Sequence, residues 1–171
     1  MKLIAPTMEY DESIQAYRRE FLECGDSMDG TSRLRRFEST RDWLDYLEEA
    51  ADDPISPSQY VFVREDDGKV VGMLDIRRSP NDFIERFAGY VGYSVCPSER
   101  RRGYATQMLG MALPIMKSLG IDNVLITCYK GNEASRKTIL NNGGVYESTV
   151  YWAERDSYIE RYRIDLTDMP L

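Results

Sequence analysis

The chain contains no histidine among its 171 residues. That absence removes the imidazole base, so Ser-His-Asp and Cys-His catalysis are excluded in their usual forms. The common zinc sites lose their main nitrogen ligand, and no metal is expected. Proton transfer must fall to Glu, Asp, Tyr, Cys, Lys or water. Cysteine is scarce as well: Cys24, Cys96 and Cys128 are far apart and form no CxxC. Buried free thiols, suited to a reducing compartment, are the expectation. Long apolar runs are missing, so nothing in the sequence reads as a membrane span. The segment Met1–Pro6 lacks the apolar stretch of a signal peptide. A soluble, cytoplasmic protein without a membrane partner is therefore expected.

The charge is uneven. Residues 1–60 hold 14 acidic and 7 basic side chains, which accounts for the whole net charge of −7. An acidic surface repels nucleic acid, so nucleic-acid binding is disfavoured. A cationic partner for the first third is compatible with this charge, although solubility alone explains it equally well. The length suits one domain over residues 1–171 with a single substantial core.

Periodicity sets the elements. Leu3–Pro6 reads as a strand, and Glu9–Glu23 as a helix with Ile14, Tyr17, Phe21 and Leu22 at helical spacing before Gly25. A second helix starts at Ser39 or Thr40 and ends before the breaking run Asp52–Pro57. Tyr60–Arg64 and Val70–Arg77 form a hairpin around Asp67-Gly68. Ser79–Phe87 reads as a loop, and Gly89–Cys96 as a strand. A helix follows over about Tyr104–Leu119, then a strand over Asn123–Tyr129 whose continuous apolar character suits a sheet centre. Glu133–Asn141 is a short helix capped by Asn132 and stopped by Gly143-Gly144. Val145–Trp152 and Tyr158–Leu166 make a last strand pair.

The richest segment joins the Gly89–Cys96 strand to the next helix: Ser98-Glu99-Arg100-Arg101-Arg102-Gly103-Tyr104-Ala105. A basic, glycine-containing turn at a helix start is an anion site, because the first N–H groups of the helix have no partners and the dipole favours negative charge there. Gly103 permits a close backbone approach, and the arginines add charge that phosphates pair with. An arginine run is by itself more often a solvated loop, but the strand-turn-helix setting favours a phosphate-bearing ligand.

This pattern resembles the GNAT superfamily of N-acetyltransferases. The superfamily's Arg/Gln-x-x-Gly-x-Gly/Ala signature is met by Arg100, Gly103 and Ala105. Its second segment is met by Asn132-Glu133-Ala134-Ser135-Arg136-Lys137, closed by Gly143-Gly144. The resemblance implies a mixed α/β fold, with a mostly antiparallel central sheet flanked by about four helices. It implies that Arg100, Arg101, Arg102, Gly103, Tyr104 and Ala105 hold the pyrophosphate of coenzyme A. It implies that the backbone of Ser94, Val95 and Cys96 pairs with the pantetheine arm, and that Asn132 and Ser135, with Arg136 nearby, lie along the cofactor. The same positions permit a plainer reading, in which Asn132 is only a helix cap.

The resemblance further implies an N-acetyltransferase that uses acetyl-CoA as co-substrate. The acceptor would be a primary amine on a small molecule or peptide, with positive charge mildly favoured; homodimers are common in the superfamily. The chain departs from the pattern where many relatives carry a tyrosine acid, since Ile139 stands there, and Gly144 replaces an aromatic. A thiol with a pKa of about 8.5 can leave as thiolate without an acid. Candidates for proton transfer are Tyr90, Glu85 and Asp75, each with a bland alternative: packing for Tyr90, a solvated carboxylate for Glu85, a solvent-facing strand position for Asp75. The missing tyrosine also keeps open a non-catalytic acyl-CoA sensor or interaction module of the same fold.

Overall fold

The computed structural model describes residues 1–53, 55–79 and 81–170. Pro54, inside the helix-breaking run, lies outside the described residues, as do Pro80 and Leu171. Among the described residues, seven strands and four α-helices follow one another: β1 (Lys2–Ile4), α1 (Asp11–Cys24), α2 (Thr40–Glu49), β2 (Ser58–Arg64), β3 (Lys69–Ile76), β4 (Val91–Val95), α3 (Tyr104–Ser118), β5 (Asn123–Tyr129), α4 (Glu133–Asn141), β6 (Val145–Trp152) and β7 (Ser157–Asp165). Most elements lie where periodicity puts them. Ser39 caps α2 by accepting a hydrogen bond from the Asp42 N–H at 3.1 Å, and Gly25 closes α1 in a left-handed conformation.

Every strand pairing is antiparallel, in two sheets of order β1-β2-β3-β4 and β5-β7-β6. The first sheet separates two apolar clusters. On one side α1 and α2 bury Ile14, Tyr17, Phe21 and Trp43 against Val61, Val63 and Met73. On the other, α3 buries Met108, Leu109 and Met116 together with Phe62, Leu74 and Ile76, and this cluster continues through Val124, Ile126 and Tyr162 of the second sheet. Among the described residues no helix is long and apolar enough to cross a membrane.

The two sheets meet without a ladder between β4 and β5. Their contact is local: the Tyr90 N–H donates to the Leu125 carbonyl at 2.8 Å, and the Thr127 hydroxyl donates to the Phe87 carbonyl at 2.8 Å. Gly89 makes this approach possible, since a Cβ there would sit 2.9 Å from the Leu125 oxygen. Beyond that point the strands part.

One expected loop is helical. Within Ser79–Phe87, the chain winds into a helical segment whose last turn, Ile84–Ala88, is a π-helix closed by Gly89 N–H to Ile84 carbonyl at 2.8 Å. Asn81 starts it by accepting from the Ile84 N–H at 2.9 Å. Its single apolar turn is too short to register as a helical period, and packing against β5 and β6 stabilises it instead.

The segment after α1 lies directly on β4. Gly30 has φ +69°, and a Cβ there would stand 2.3 Å from the Gly92 oxygen and 2.6 Å from the Tyr93 Cα. Backbone atoms cannot yield as a flexible side chain would. Gly30→Ala is expected to destabilise the protein by roughly 1–3 kcal/mol with an unchanged m-value, as read by urea denaturation.

Candidate active site

The arginine turn is built on a buried carboxylate. Glu99 is only 5 % exposed and sits where Lys69 (2.7 Å), Arg64 (2.9 Å) and Arg102 (3.3 Å) converge. The Lys69 hydrogen bond is the main influence holding the Glu99 carboxyl below its usual range. These contacts tie the turn to the β2–β3 hairpin. Arg100 is also engaged: its guanidinium reaches Asp26 at 2.6 Å, its Nε donates to the Val95 carbonyl at 3.2 Å, and it lies 5.7 Å over the Phe21 ring. Two of the three arginines are therefore held by carboxylates of this chain. Arg101, with φ +63°, lines the cleft and has no ion pair among the described residues. Gly103 follows at φ +76°, and the N–H groups of Gly103, Tyr104, Ala105 and Thr106 find no acceptor among the described residues. They form an open anion cradle at the start of α3.

The cradle opens into a cleft of about 930 Å³ that runs between β4 and β5 and past the start of α4. The Cys96 N–H is given to the Val71 carbonyl at 2.9 Å, and the Cys96 carbonyl accepts from Glu99 N–H at 2.8 Å. Antiparallel alternation then turns the backbone of Ser94 toward β3, and that of Tyr93 and Val95 toward the gap. The expectation that three consecutive residues offer their backbone is corrected on this geometry: Val95 does, whereas Ser94 and Cys96 do not. Of the three thiols expected to be buried, Cys96 and Cys128 are, whereas Cys24 near the end of α1 is exposed; the Cys96 thiol lies beside Glu20, and burial pushes it up to about 12.

Across the gap, the Asn132 side chain accepts from the Ser135 N–H at 3.1 Å, so Asn132 is a helix cap that also faces the cleft. The Ser135 hydroxyl is 2.6 Å from the Tyr93 hydroxyl, a bridge from α4 to β4. Burial drives the Tyr93 phenol well above its ordinary range.

The three proposed proton carriers are not on the cleft wall. Tyr90 donates to Glu85 at 2.7 Å, and Glu85 lies 3.5 Å from Arg163 of β7, on the flank of the second sheet. Burial and then the Glu85 bond push the Tyr90 phenol up to about 12. Asp75 is buried between β3 and β4, 3.2 Å from both Arg77 and the Gly92 N–H, with burial raising its pKa. The Glu85 contact holds Tyr90, Arg163 draws Glu85 and the β3–β4 interior takes Asp75, so none of the three lines the cleft. Ile139, in the position of the tyrosine acid, is fully buried.

Other residues line the cleft that the sequence pattern does not single out: Asp26, Asp29 and Arg77, and the aromatics Phe83, Phe87 and Trp152. The i, i+4 spacing of Phe83 and Phe87 is the available signal; nothing local links either to Trp152.

A charge-paired turn has a pH signature. A carboxyl held below its unfolded value stabilises the fold above that value, about 4.3, and the contribution is lost as pH falls through the folded pKa. Glu99→Gln should therefore be less stable than wild type near neutral pH. The gap in urea midpoints should close as pH falls below the ordinary carboxylate range, when wild-type Glu99 also loses its charge.

The comparisons with known proteins come down on the same side. The profile of the Acetyltransferase (GNAT) family matches residues 14–143. No curated protein matches the chain. Similar solved structures include the ribosomal-protein-S5-alanine acetyltransferase of Vibrio fischeri, with TM-score 0.71 and 16 % identity over 99 % of this chain and 94 % of that one. A point mutant of spermidine N-acetyltransferase from Vibrio cholerae has TM-score 0.68 and 12 % identity, covering 98 % of this chain and 96 % of that one. The microcin C7 self-immunity acetyltransferase, in complex with acetyl-CoA and AMP, has TM-score 0.70 and 15 % identity, covering 95 % and 91 %. At these identities the structural likeness speaks for the fold, and the family match covers most of the sequence: the chain belongs to the GNAT acetyltransferase family.

Proposed function

We propose that residues 1–171 act as one acetyltransferase domain that moves an acetyl group from acetyl-CoA to a primary amine on a small molecule or peptide. The observation that carries this reading is the row of N–H groups from Gly103 to Thr106, without acceptors among the described residues, at the mouth of a gap between two strands. A pyrophosphate fits the cradle, and an extended amide-bearing arm fits the unpaired edge of β4 much as an added strand would. Arg101 supplies a cation free of intramolecular carboxylates among the described residues, while Arg100 and Arg102 shape the turn.

The chemistry asks little of the side chains. The Val95 N–H, turned toward the gap, polarises the thioester carbonyl. The amine nitrogen forms the new C–N bond, the C–S bond breaks, and the sulfur leaves with the electron pair as thiolate. The nitrogen's proton passes to water or to a carboxylate in the cleft. Holding amine and thioester together supplies much of the rate. Among the described residues no group of three His, Cys, Asp or Glu side chains could hold a metal.

Buried Ile139 favours a second reading, a module that holds acyl-CoA without turnover. Thiol release from acetyl-CoA across a panel of amines separates the two: release with some acceptor supports the enzyme, and tight binding without release on any amine supports the module.

Ala105 lines the cleft in the first turn of α3. Ala105→Trp should weaken coenzyme A binding by more than about tenfold, roughly 1.4 kcal/mol, in calorimetry, with little change in thermal midpoint. Unchanged affinity would sink the coenzyme assignment.

A further inference from the structure

The end of the cleft that precedes β4 is walled by aromatic rings, whereas the arginine turn follows β4 at the other end. The Phe87 and Trp152 rings are stacked at 5.1 Å with an 18° tilt, and Phe83 meets Trp152 edge-on at 5.5 Å. Tyr129 lies nearly parallel to Trp152, with centroids 6.5 Å apart. These rings come from the π-turn and its lead-in, β5 and β6, and all four line the cleft. Phe83 is 50 % exposed and Tyr129 44 % exposed, so the wall presents ring surface to the cleft that a ligand would remove from water.

The wall is already supplied with cations. Arg155 lies 5.5 Å from the Trp152 centroid and Arg86 lies 5.1 Å from that of Phe87. The negative ring faces are thus partly satisfied within the chain, and a second cation on them meets like charge. A neutral ring has no such opposition, and it can stack offset or edge-on.

A free carboxylate lies on another side of the same cleft. Asp29 is exposed, and its one side-chain hydrogen bond among the described residues is from the Ser27 hydroxyl to Oδ2 at 2.8 Å. No cation lies within ion-pair distance of it among the described residues, whereas the neighbouring Asp26 is taken by Arg100. The Asp29 carbonyl accepts from the Ser94 hydroxyl, one residue before the Val95 N–H. Asp29 thus stands beside the part of β4 to which the acetyl-transfer reading assigns the thioester, and it lines the same cleft.

We propose that the acceptor is a primary amine carried on a short chain by an aromatic ring, with the ring on the Phe83–Phe87–Trp152 wall and the amino group at Asp29. This rests on the acetyl-transfer reading and narrows its acceptor. A stacked ring contributes about a threefold to tenfold gain in affinity.

The test uses the full chain with phenethylamine and n-butylamine. The kcat/KM for phenethylamine should exceed that for butylamine by about threefold to tenfold. Phe83→Ala, at a half-exposed position, should remove most of that preference while leaving coenzyme A affinity unchanged. Asp29→Asn should lower kcat/KM for both amines. Equal values for the two amines, or a preference untouched by Phe83→Ala, overturns the proposal. Calorimetry with phenethylamine alone keeps the two readings apart. Binding weakened by Phe83→Ala supports the ring site even if no acetyl transfer occurs, and no binding overturns it even if coenzyme A binds tightly.

Discussion

The parting of β4 and β5 is the constraint on which the rest depends. Backbone N–H and C=O groups away from water need partners, and a strand facing a gap has no strand to supply them on that side. The structure holds this opening through its surroundings. Contacts at Gly89, Tyr90 and Thr127 fasten the two sheets at one end, and the Tyr93–Ser135 bridge ties β4 to α4 across the gap. Large apolar clusters on both faces of the first sheet keep β4 from moving to close it. What remains is a strand edge with no neighbouring strand among the described residues, leading to a helix N-terminus.

Charge is distributed to suit. The turn carries three consecutive arginines, yet Glu99 and Asp26 neutralise two of them. Those pairs hold the backbone of the turn in shape, including left-handed Arg101 and Gly103. The attraction for an anion then comes mostly from oriented N–H groups, with Arg101 beside them. The acidic excess of the first third has a related role on the other side, where Asp26 fixes Arg100 and Asp29 has no ion pair among the described residues. The Gly30–Gly92 backbone contact makes this placement possible, because it seats the segment after α1 on β4 without a side chain between them.

The elements are legible in the residues alone. Strong helical and strand periods, the Ser39 and Asn132 caps and the glycine stops are local features, and local physics fixes them. The arginine turn is likewise legible because a strand, a glycine turn and a helix start are contiguous in the chain, and an anion cradle needs nothing from elsewhere. Which backbone groups face the gap is a matter of long-range pairing. A one-residue difference in register exchanges Val95 for Ser94, and only the pairing of β4 with β3 settles that. Packing between distant segments also turns Tyr90, Glu85 and Asp75 away from the gap, and brings Phe83, Phe87, Trp152 and Asp29 into one cleft. Those four stand on the segment after α1, the π-turn with its lead-in and the end of β6, and their meeting follows from contacts that no local pattern encodes.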